Sequence, residues 1–178
     1  MCKPLFSFAG ALIIALVAPL EAQDISTYCL PQSELFLAGV ELGVSGDEVK
    51  ALLHTPSREV KDSAMDDGGV YPLIHLYYPD LRVDLGRNGV ELLQTSSPKV
   101  SLPSGVHVGM ALSDVGRRLN LVNPAHYLSG SKLSPLTCEG GEGDRHSPDT
   151  SGLELTFGPA RVDTLKRVTK IRLVERGP

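Results

Sequence analysis

A group of acidic and imidazole side chains late in the sequence comes closest to a metal-binding pattern. Its members are Glu139, Glu142, Asp144, His146 and Asp149. Carboxylate groups can bind divalent cations, but these residues do not follow the spacing of a calcium-binding loop. The glycines among them favour a flexible chain, so we expect a solvated acidic loop. The sequence therefore predicts no metal site and no cofactor.

Catalytic histidines are expected beside a nucleophile, a carboxylate or a metal-binding pair. The histidines of this chain are instead scattered, at His54, His75, His107, His126 and His146. None of them lies in an H-E-x-x-H or C-x-x-C context. We therefore predict that the protein is not an enzyme. A small periplasmic metal- or ligand-dependent enzyme of unknown reaction is the alternative.

Three of the five tyrosines, Tyr71, Tyr77 and Tyr78, lie close together in the sequence. Tyrosine supplies a large contact area at a low cost in conformational entropy, which suits it to binding surfaces. One interpretation is an aromatic patch on an open sheet face. The other is that Tyr78 belongs to the core and that the remaining two decorate an edge.

The elements that must position these side chains occur twice in the chain. The segment 39–53 recurs as 105–119, with two glycines, a valine and a leucine at a constant offset of 66 residues. Later strand-like segments match at offsets of 72 and 78 residues, and loop insertions account for the growth. Ordered self-similarity of this kind indicates an internal repeat. We predict a tandem duplication of one module.

Each copy is predicted to contain a short helix. In the first copy, Ser45 and Glu48 have the spacing of a capping box. That helix should end before Pro56, because the residue preceding a proline disfavours the helical region. In the second copy Ala111 replaces the capping serine, so this cap should be weaker, and the helix should stop by Asn120.

An antiparallel meander is predicted to follow the helices. Apolar and polar residues alternate over 74–78 and 81–85, on either side of a Pro-Asp turn, and a further strand covers 90–95. The second copy alternates over 153–157 and 170–173. This period of two is typical of strands with one buried face and one solvated face.

The fold class expected from this pattern is α+β. It is a tandem duplication of a short-helix plus antiparallel β-meander module, forming one continuous antiparallel sheet with helices on one face. We predict that the other face binds a protein, because two joined copies could present the roughly 800 Å² that a standard interface needs from each partner. An ordinary solvated sheet face is the alternative. Alternation places these candidate contact residues there: His75, Tyr77, Arg82, Asp84, Glu154, Thr156, Lys170 and Arg172.

The N-terminus has the pattern of an export signal. An uncharged apolar run over 5–18 follows Lys3, and the small residue Ala22 precedes a candidate cleavage point. The run is shorter than the roughly 20 residues of a bilayer-spanning helix, although a retained membrane helix is the alternative. We expect cleavage after Ala22 and a mature protein that is periplasmic or secreted, without stable membrane insertion.

Export changes the interpretation of the cysteines. Cys2 would leave with the signal, so Cys29 and Cys138 would remain in an oxidising compartment. We predict a disulfide between them, with two independent buried thiols as the alternative. Neither residue has a second cysteine or a histidine at zinc-ligand spacing.

The predicted organisation of the chain has five parts. They are a signal peptide (1–22), an N-terminal leader (23–38), repeat one (39–97), a linker (98–104) and repeat two (105–175), which contains a Gly- and Ser-rich insertion (129–151).

Composition excludes two classes of protein. With 42% hydrophobic and 21% charged residues, the chain has the balance of a globular protein rather than a disordered one. A net charge of -4 provides no basic footprint for nucleic acid. We therefore expect a protein partner and no nucleic acid.

The segments that open the two copies resemble a known family signature. Gly43-Val44-Ser45-Gly46-Asp47-Glu48-Val49 and the run from Val108-Gly109-Met110 to Asp114-Val115 are similar to the motif at the start of each module in the beta-lactamase inhibitory protein-like fold. Small outer-membrane assembly lipoproteins share that fold. The resemblance implies an exported, non-enzymatic module that holds another protein on one sheet face. The chain differs from these families in lacking tryptophan and a cysteine directly after the apolar run.

Overall fold

The computed structural model describes residues 30–121, 123–135, 152–158 and 166–175. The predicted signal peptide, both partners of the predicted disulfide and the acidic loop 139–149 lie outside these ranges. Among the described residues, none forms a helix with the length and apolar character needed to cross a bilayer.

The described chain is α+β, as predicted. Its α-helices are α1 (Gly46–Leu53) and α2 (Leu112–Arg118), and short 3-10 turns cover Gln32–Glu34 and Pro124–Tyr127. Its strands are β1 (Phe36–Leu37), β2 (Val40–Glu41), β3 (Arg58–Asp66), β4 (Gly69–Tyr77), β5 (Arg82–Gly86), β6 (Gly89–Thr95), β7 (Leu128–Ser129), β8 (Lys132–Leu133), β9 (Gly152–Phe157) and β10 (Val168–Val174).

Eight of these strands form one antiparallel sheet in the order β3-β4-β5-β6-β10-β9-β8-β7. The pairing of β6 with β10 joins the two halves of the chain, so the expectation of one large antiparallel sheet is confirmed. Strands β1 and β2 form a separate two-stranded ladder.

Local sequence explains where α1 and α2 begin. Ser45 accepts a hydrogen bond from the backbone of Glu48 at 3.3 Å, and the Glu48 carboxylate accepts one from the Ser45 backbone at 2.9 Å. The predicted capping box is therefore present. Ala111 caps α2 without a side-chain hydrogen bond, also as predicted, and α2 stops before Asn120, which has a positive φ.

The segment before each helix is hydrogen-bonded to a strand of the sheet. The bonds are Gly43 N to Val90 O at 2.8 Å, Val90 N to Val44 O at 2.9 Å, Gly109 N to Val168 O at 2.8 Å and Val168 N to Met110 O at 2.9 Å. At Gly89 the approach is so close that a Cβ atom would lie 2.5 Å from the Gly43 carbonyl oxygen, and φ is +112°. Glycine is therefore required at this turn.

The apolar core lies on one face of the sheet. Val49 of α1 and Val115 of α2 are fully buried in it. The strands contribute alternate residues, which include Leu76, Val83, Leu93, Leu153, Leu155, Phe157, Ile171 and Leu173. Leu30, Leu35 and Leu37, from the predicted leader, are also buried in this core.

Five strands, β1, β2, β3, β7 and β8, were absent from the sequence prediction. Strands β1 and β2 have two residues each. Strand β3 has exposed residues at seven of its nine positions, so it carries no alternating apolar signal. Strands β7 and β8 have two residues each and lie at the start of the predicted insertion, where β8 pairs with β9. Strands this short are below the length at which alternation can be recognised.

Candidate functional site

One row of cross-strand neighbours spans most of the sheet on the face opposite the core. This open-face row consists of Arg58, Tyr77, Arg82, Gln94, Arg172 and Glu154, on strands β3, β4, β5, β6, β10 and β9. Residues directly opposite each other in antiparallel strands point to the same face. The row is therefore a continuous strip of polar and aromatic side chains.

The eight residues predicted to contact a partner all lie on this face. They occupy three neighbouring rows: His75 and Asp84, then Tyr77, Arg82, Arg172 and Glu154, then Lys170 and Thr156. The register thus brings together residues from both halves of the sequence. That a partner binds them stays a prediction.

Two of the eight residues are not available for surface contact. His75 is 8% exposed and Asp84 is 6% exposed. Alternation correctly predicts that both residues lie on the open face. The side chain of Arg82, however, is hydrogen-bonded to Asp84 and lies against His75. The expectation that His75 and Asp84 offer contact surface needs this correction, because neighbouring groups on the same face cover them.

Arg82 and Asp84 form a two-bond ion pair. Arg82 Nε donates to Asp84 Oδ1 at 2.7 Å and Nη2 donates to Oδ2 at 2.8 Å. The hydrogen bonds to Asp84 raise the pKa of Arg82, although partial burial opposes them. Parallel bonds between guanidinium and carboxylate fix the geometry of both groups. Arg82 is therefore positioned by a carboxylate that is almost completely buried.

His75 completes this network. Its Nδ1 lies 2.8 Å from Asp84 Oδ1, and because a carboxylate only accepts hydrogen bonds, Nδ1 is the donor. Arg82 Nη2 lies 3.1 Å from the same nitrogen, which cannot accept a hydrogen bond while it carries its own proton, and Nη2 donates to Asp84 Oδ2. On the other side of the ring, Nε2 lies 3.8 Å from Asp62 Oδ2. The imidazole is thus held between two carboxylates.

Tyr77 lies between two guanidinium groups. The Arg58 Cζ atom is 5.3 Å from the centre of the Tyr77 ring, and the Arg82 Cζ atom is 5.7 Å from it. Both distances are within the range of cation–π attraction. The ring is therefore held in place at the β3 end of the open-face row.

Glu154 lies at the opposite end of the row between two cations. Lys132 Nζ donates to its Oε2 at 3.3 Å and Arg172 Nη1 donates to its Oε1 at 3.1 Å. Burial raises the pKa of Glu154, but the hydrogen bonds from Lys132 and Arg172 outweigh this effect, and the pKa is lowered overall. Glu154 is therefore an ionised, paired group at neutral pH.

Cations are in excess on the open face, in this row and the two rows beside it. Arg58 and Lys170 have no carboxylate partner among the described residues. Three carboxylates lie on the same face: Asp84 is paired with Arg82, Glu154 is shared by Lys132 and Arg172, and Asp62 lies near His75. The cations of this face are more numerous: Arg58, Arg82, Lys132, Lys170 and Arg172. A protein with a net charge of -4 therefore presents a locally positive surface here.

A shallow depression of about 470 Å³ adjoins the row. It is lined by Tyr77, Arg82 and Gln94, and Ser96 and Ser97 border it. It offers hydroxyl, amide and guanidinium groups beside an aromatic ring.

The three tyrosines do not form one patch. Tyr78 packs against the core. Tyr77 lies in the open-face row, and Tyr71 contacts a separate cleft of about 460 Å³, where its hydroxyl donates to Glu91 Oε2 at 3.2 Å and Arg87 covers its ring. The interpretation in which Tyr78 belongs to the core is therefore confirmed for that residue.

The His75 network has the appearance of a general base oriented by a carboxylate. A nucleophilic mechanism needs a hydroxyl or thiol within reach of the imidazole. In the part of the chain that the structure describes, the ring nitrogens of His75 contact Asp84, Arg82 and Asp62. No group of three or more metal-ligating side chains occurs within the described ranges. The network links strands β3, β4 and β5 through these side chains.

Sequence reasoning missed three polar residues of the open face: Arg58, Gln94 and Lys132, which lies opposite Thr156. Arg58 lies on a strand that was not predicted, and Lys132 lies in the segment assigned to the insertion. Gln94 alternates correctly within the predicted strand 90–95, so the same argument that selected Arg82 could have selected it.

No protein-family model matches the chain, and no curated protein matches it in sequence. Among solved structures, it is similar to the uncharacterized protein YfeY from Escherichia coli, with 14% identity over 83% of this chain and 99% of that one, at a TM-score of 0.48. It is also similar to an extracellular protein containing an SCP domain from Bacillus anthracis str. Ames, with 13% identity over 75% of this chain and 44% of that one, at a TM-score of 0.39. Both scores lie below 0.5, so neither similarity assigns a family or a function.

Proposed function

We propose that this protein is an exported, non-enzymatic protein-binding module of the bacterial cell envelope, which binds its partner through the open face of the sheet. The observation that carries the proposal is the open-face row. It is a continuous strip across six strands, drawn from both halves of the chain, on the face that the core does not use. Arginine and tyrosine, which dominate this strip, are enriched among energetically important interface residues.

The positive charge of the open face favours a partner with an acidic surface. Arg58 and Lys170 lack carboxylate partners among the described residues, so an acidic surface would complement them. Tyr77 is held by two guanidinium groups and would lose little conformational entropy on binding. We therefore expect an acidic protein surface as the partner, with an affinity that falls as salt is added.

The same proposal includes a tandem duplication of the beta-lactamase inhibitory protein-like type. Hydrogen bonds at Gly43 and Gly109 support it, because each joins a helix-leading segment to a strand at the offsets expected from the repeat. The buried valines of α1 and α2 also occupy corresponding positions.

Export rests on the N-terminal sequence pattern. Intact-mass measurement of the protein from an exported fraction should find it starting at Gln23, and retention of Met1 would contradict export.

The binding proposal is tested with the double substitution Tyr77→Ala and Lys170→Ala. Arg82 is left unchanged, because its removal would strand the buried carboxylate of Asp84 and confuse stability with binding. Mature wild-type protein is immobilised to isolate a partner from envelope extract, and the affinity of the purified partner is then measured for each variant. The double variant should bind more weakly by about 2 kcal/mol, roughly thirty-fold. Its melting temperature should fall only slightly, because Tyr77 contacts Arg58 and Arg82 at the surface.

Leu52→Ala provides the matched control. Leu52 is 55% exposed on α1, on the core side of the sheet, so its loss should leave the affinity unchanged. Equal affinities of the wild type and the double variant would place the binding surface elsewhere. A Leu52→Ala variant that binds as weakly as the double variant would also contradict the open face as the site.

A further inference from the structure

Strand β3 presents the long free edge of the eight-stranded sheet. It has nine residues, of which seven are exposed, and it pairs with β4 along its whole length and with no other strand in the described ranges. The opposite edge, β7, has only two residues. A free edge displays unpaired backbone N–H and C=O groups that can accept another strand.

The sequence of β3 is self-complementary when it is read in the antiparallel direction. Its first five residues are Arg58, Glu59, Val60, Lys61 and Asp62. If a second copy is placed antiparallel with Val60 opposite Val60, each cation faces an anion. Arg58 then lies opposite Asp62, and Glu59 lies opposite Lys61, and two-fold symmetry makes each contact twice.

We propose that two copies of this chain pair through β3, antiparallel about a two-fold axis at Val60, and thereby join their sheets. A two-fold axis perpendicular to the sheet keeps the same face of both copies on one side. Directly opposite residues then share a face, as cross-strand contact requires.

The placement of the charges in the single chain fits this arrangement. Glu59 points to the core side of the sheet, where it pairs with Lys50 of α1 at 3.3 Å. Asp62 points to the open face and is 64% exposed at its side chain. Lys61 has no carboxylate partner among the described residues. Both kinds of charge pair would therefore form, one kind on each face.

The extent of the contact is limited by Pro56. In this register Ser57 would face Ser63, and the next position would require a backbone N–H from Pro56, which proline lacks. The pairing would span about seven residues from each copy. This is smaller than the interfaces of about 1,200–2,000 Å² that give stable complexes, so the dimer is weak and concentration-dependent.

Sedimentation equilibrium of the mature protein over a wide concentration range tests the proposal through charge reversal. Wild type should be in a monomer–dimer equilibrium. Glu59→Lys and Lys61→Glu should each weaken self-association at least about tenfold, because like charges then face each other. An equimolar mixture of these two variants should associate again, as should the double exchange Glu59→Lys with Lys61→Glu. A wild type that stays monomeric, or single variants that associate like the wild type, would overturn the proposal.

A cross-linking measurement keeps the test decisive if a charge variant folds poorly. Val60→Cys would bring two cysteines opposite each other across the axis, at the roughly 4.5–5.5 Å Cα separation of an antiparallel pair, which allows a disulfide. Ser63→Cys is the matched control, because in this register its two copies are too far apart to bond. Equal cross-linking of both variants, or none at Val60→Cys, would exclude this register. Neither measurement depends on the proposed binding partner.

Discussion

The environment of Asp84 determines which residues of the open face can be substituted without loss of folding stability. Its carboxylate is nearly inaccessible and is satisfied by Arg82 and His75 together. A buried charge that loses its partner is destabilising, whereas an exposed ion pair contributes little. Substitutions at this site therefore report first on stability.

Arg82→Ala should lower the free energy of unfolding by about 2 kcal/mol. The figure is below the roughly 3–5 kcal/mol of fully buried pairs, because the Arg82 side chain is 34% exposed. Arg117→Ala is the matched control, since its pair with Asp114 is exposed, with 82% accessibility at the arginine side chain. It should change stability by less than about 0.5 kcal/mol. Urea unfolding measures both, and equal losses would contradict this interpretation of Asp84.

Glu154→Gln should destabilise the protein at neutral pH, and the deficit should shrink in acid. The folded-state pKa of Glu154 is lowered below its ordinary value of 4.5. Its stabilising effect is therefore present above that value and is lost as the pH falls through the folded-state pKa. Urea unfolding of variant and wild type between pH 7 and pH 3 measures the difference. A deficit that stays constant with pH would be inconsistent with an ionised, paired Glu154.

Glu175→Gln should change the stability at neutral pH in the opposite direction to Glu154→Gln. Burial and the neighbouring Glu91 raise the pKa of Glu175 above 4.5. The charged form is therefore disfavoured in the folded state at neutral pH, and wild type gains stability relative to the variant as the pH falls through the raised value. The variant should thus be slightly more stable than wild type at pH 7 and should lose this advantage in acid. The same unfolding series measures it, and a destabilised variant at pH 7 would contradict the assignment.

At the scale of the elements, the two helices differ in how they begin. Helix α1 has a complete capping box, whereas α2 begins at Ala111 without a side-chain cap. Helix α2 is instead tied to β10 through its leading segment and carries Val115 into the core. Packing therefore compensates for the weaker local signal.

Ser45→Ala should cost about 1 kcal/mol of stability, because it removes the side chain that satisfies the Glu48 backbone N–H. Ser113→Ala serves as the control, since Ser113 is exposed in the first turn of α2. It should change stability by less than about 0.5 kcal/mol. Thermal unfolding monitored by circular dichroism measures both, and similar melting temperatures for the two variants would argue against the capping box.

Val49→Ala and Val115→Ala should each cost about 1–3 kcal/mol, because both valines are fully buried and their truncation leaves a small cavity. Leu52→Ala removes a larger but exposed side chain and should cost less than either. Denaturant unfolding of the three variants provides the comparison. A near-zero effect at both valines would contradict their place in the core.

The sequence predicts those elements whose apolar residues recur with a clear period. Both helices and the β4, β5 and β6 strands follow from such patterns. Strand β3 could not be found in this way, because its charged residues face solvent on both sides and its pairing with β4 defines it.

In the candidate site, alternation gives the correct face for all eight predicted residues. It cannot reveal that Arg82 helps to cover His75 and Asp84, because that depends on side-chain packing between strands.

At the scale of the whole molecule, the pairing of β6 with β10 makes one sheet from the two halves of the chain. Residues far apart in sequence meet there, as in the contact of Ile171 with Thr95. The predicted disulfide between Cys29 and Cys138 would add a second long-range link, between residues that lie outside the described ranges.

Alkylation of the non-reduced mature protein should leave both cysteines unmodified if this disulfide forms, and reduction should then lower the melting temperature. The chain-entropy model gives about 4–5 kcal/mol for a loop of this length, as an upper figure. Mass spectrometry after alkylation, with and without reductant, makes the measurement. Complete alkylation of native, non-reduced protein would exclude the bridge.

The alternating charges of β3 also bear on the solubility of the chain. An exposed strand edge rich in Val and Ile would add strands from any unfolded neighbour and could seed cross-β aggregates. Along β3, a foreign strand would have to present anions and cations in the complementary order, and a strand without them would leave the charges of β3 unpaired. The order of charges that suits a second copy of the chain therefore discourages amyloid-like growth. At the opposite edge of the sheet, β7 has only two residues and offers few backbone groups to an added strand.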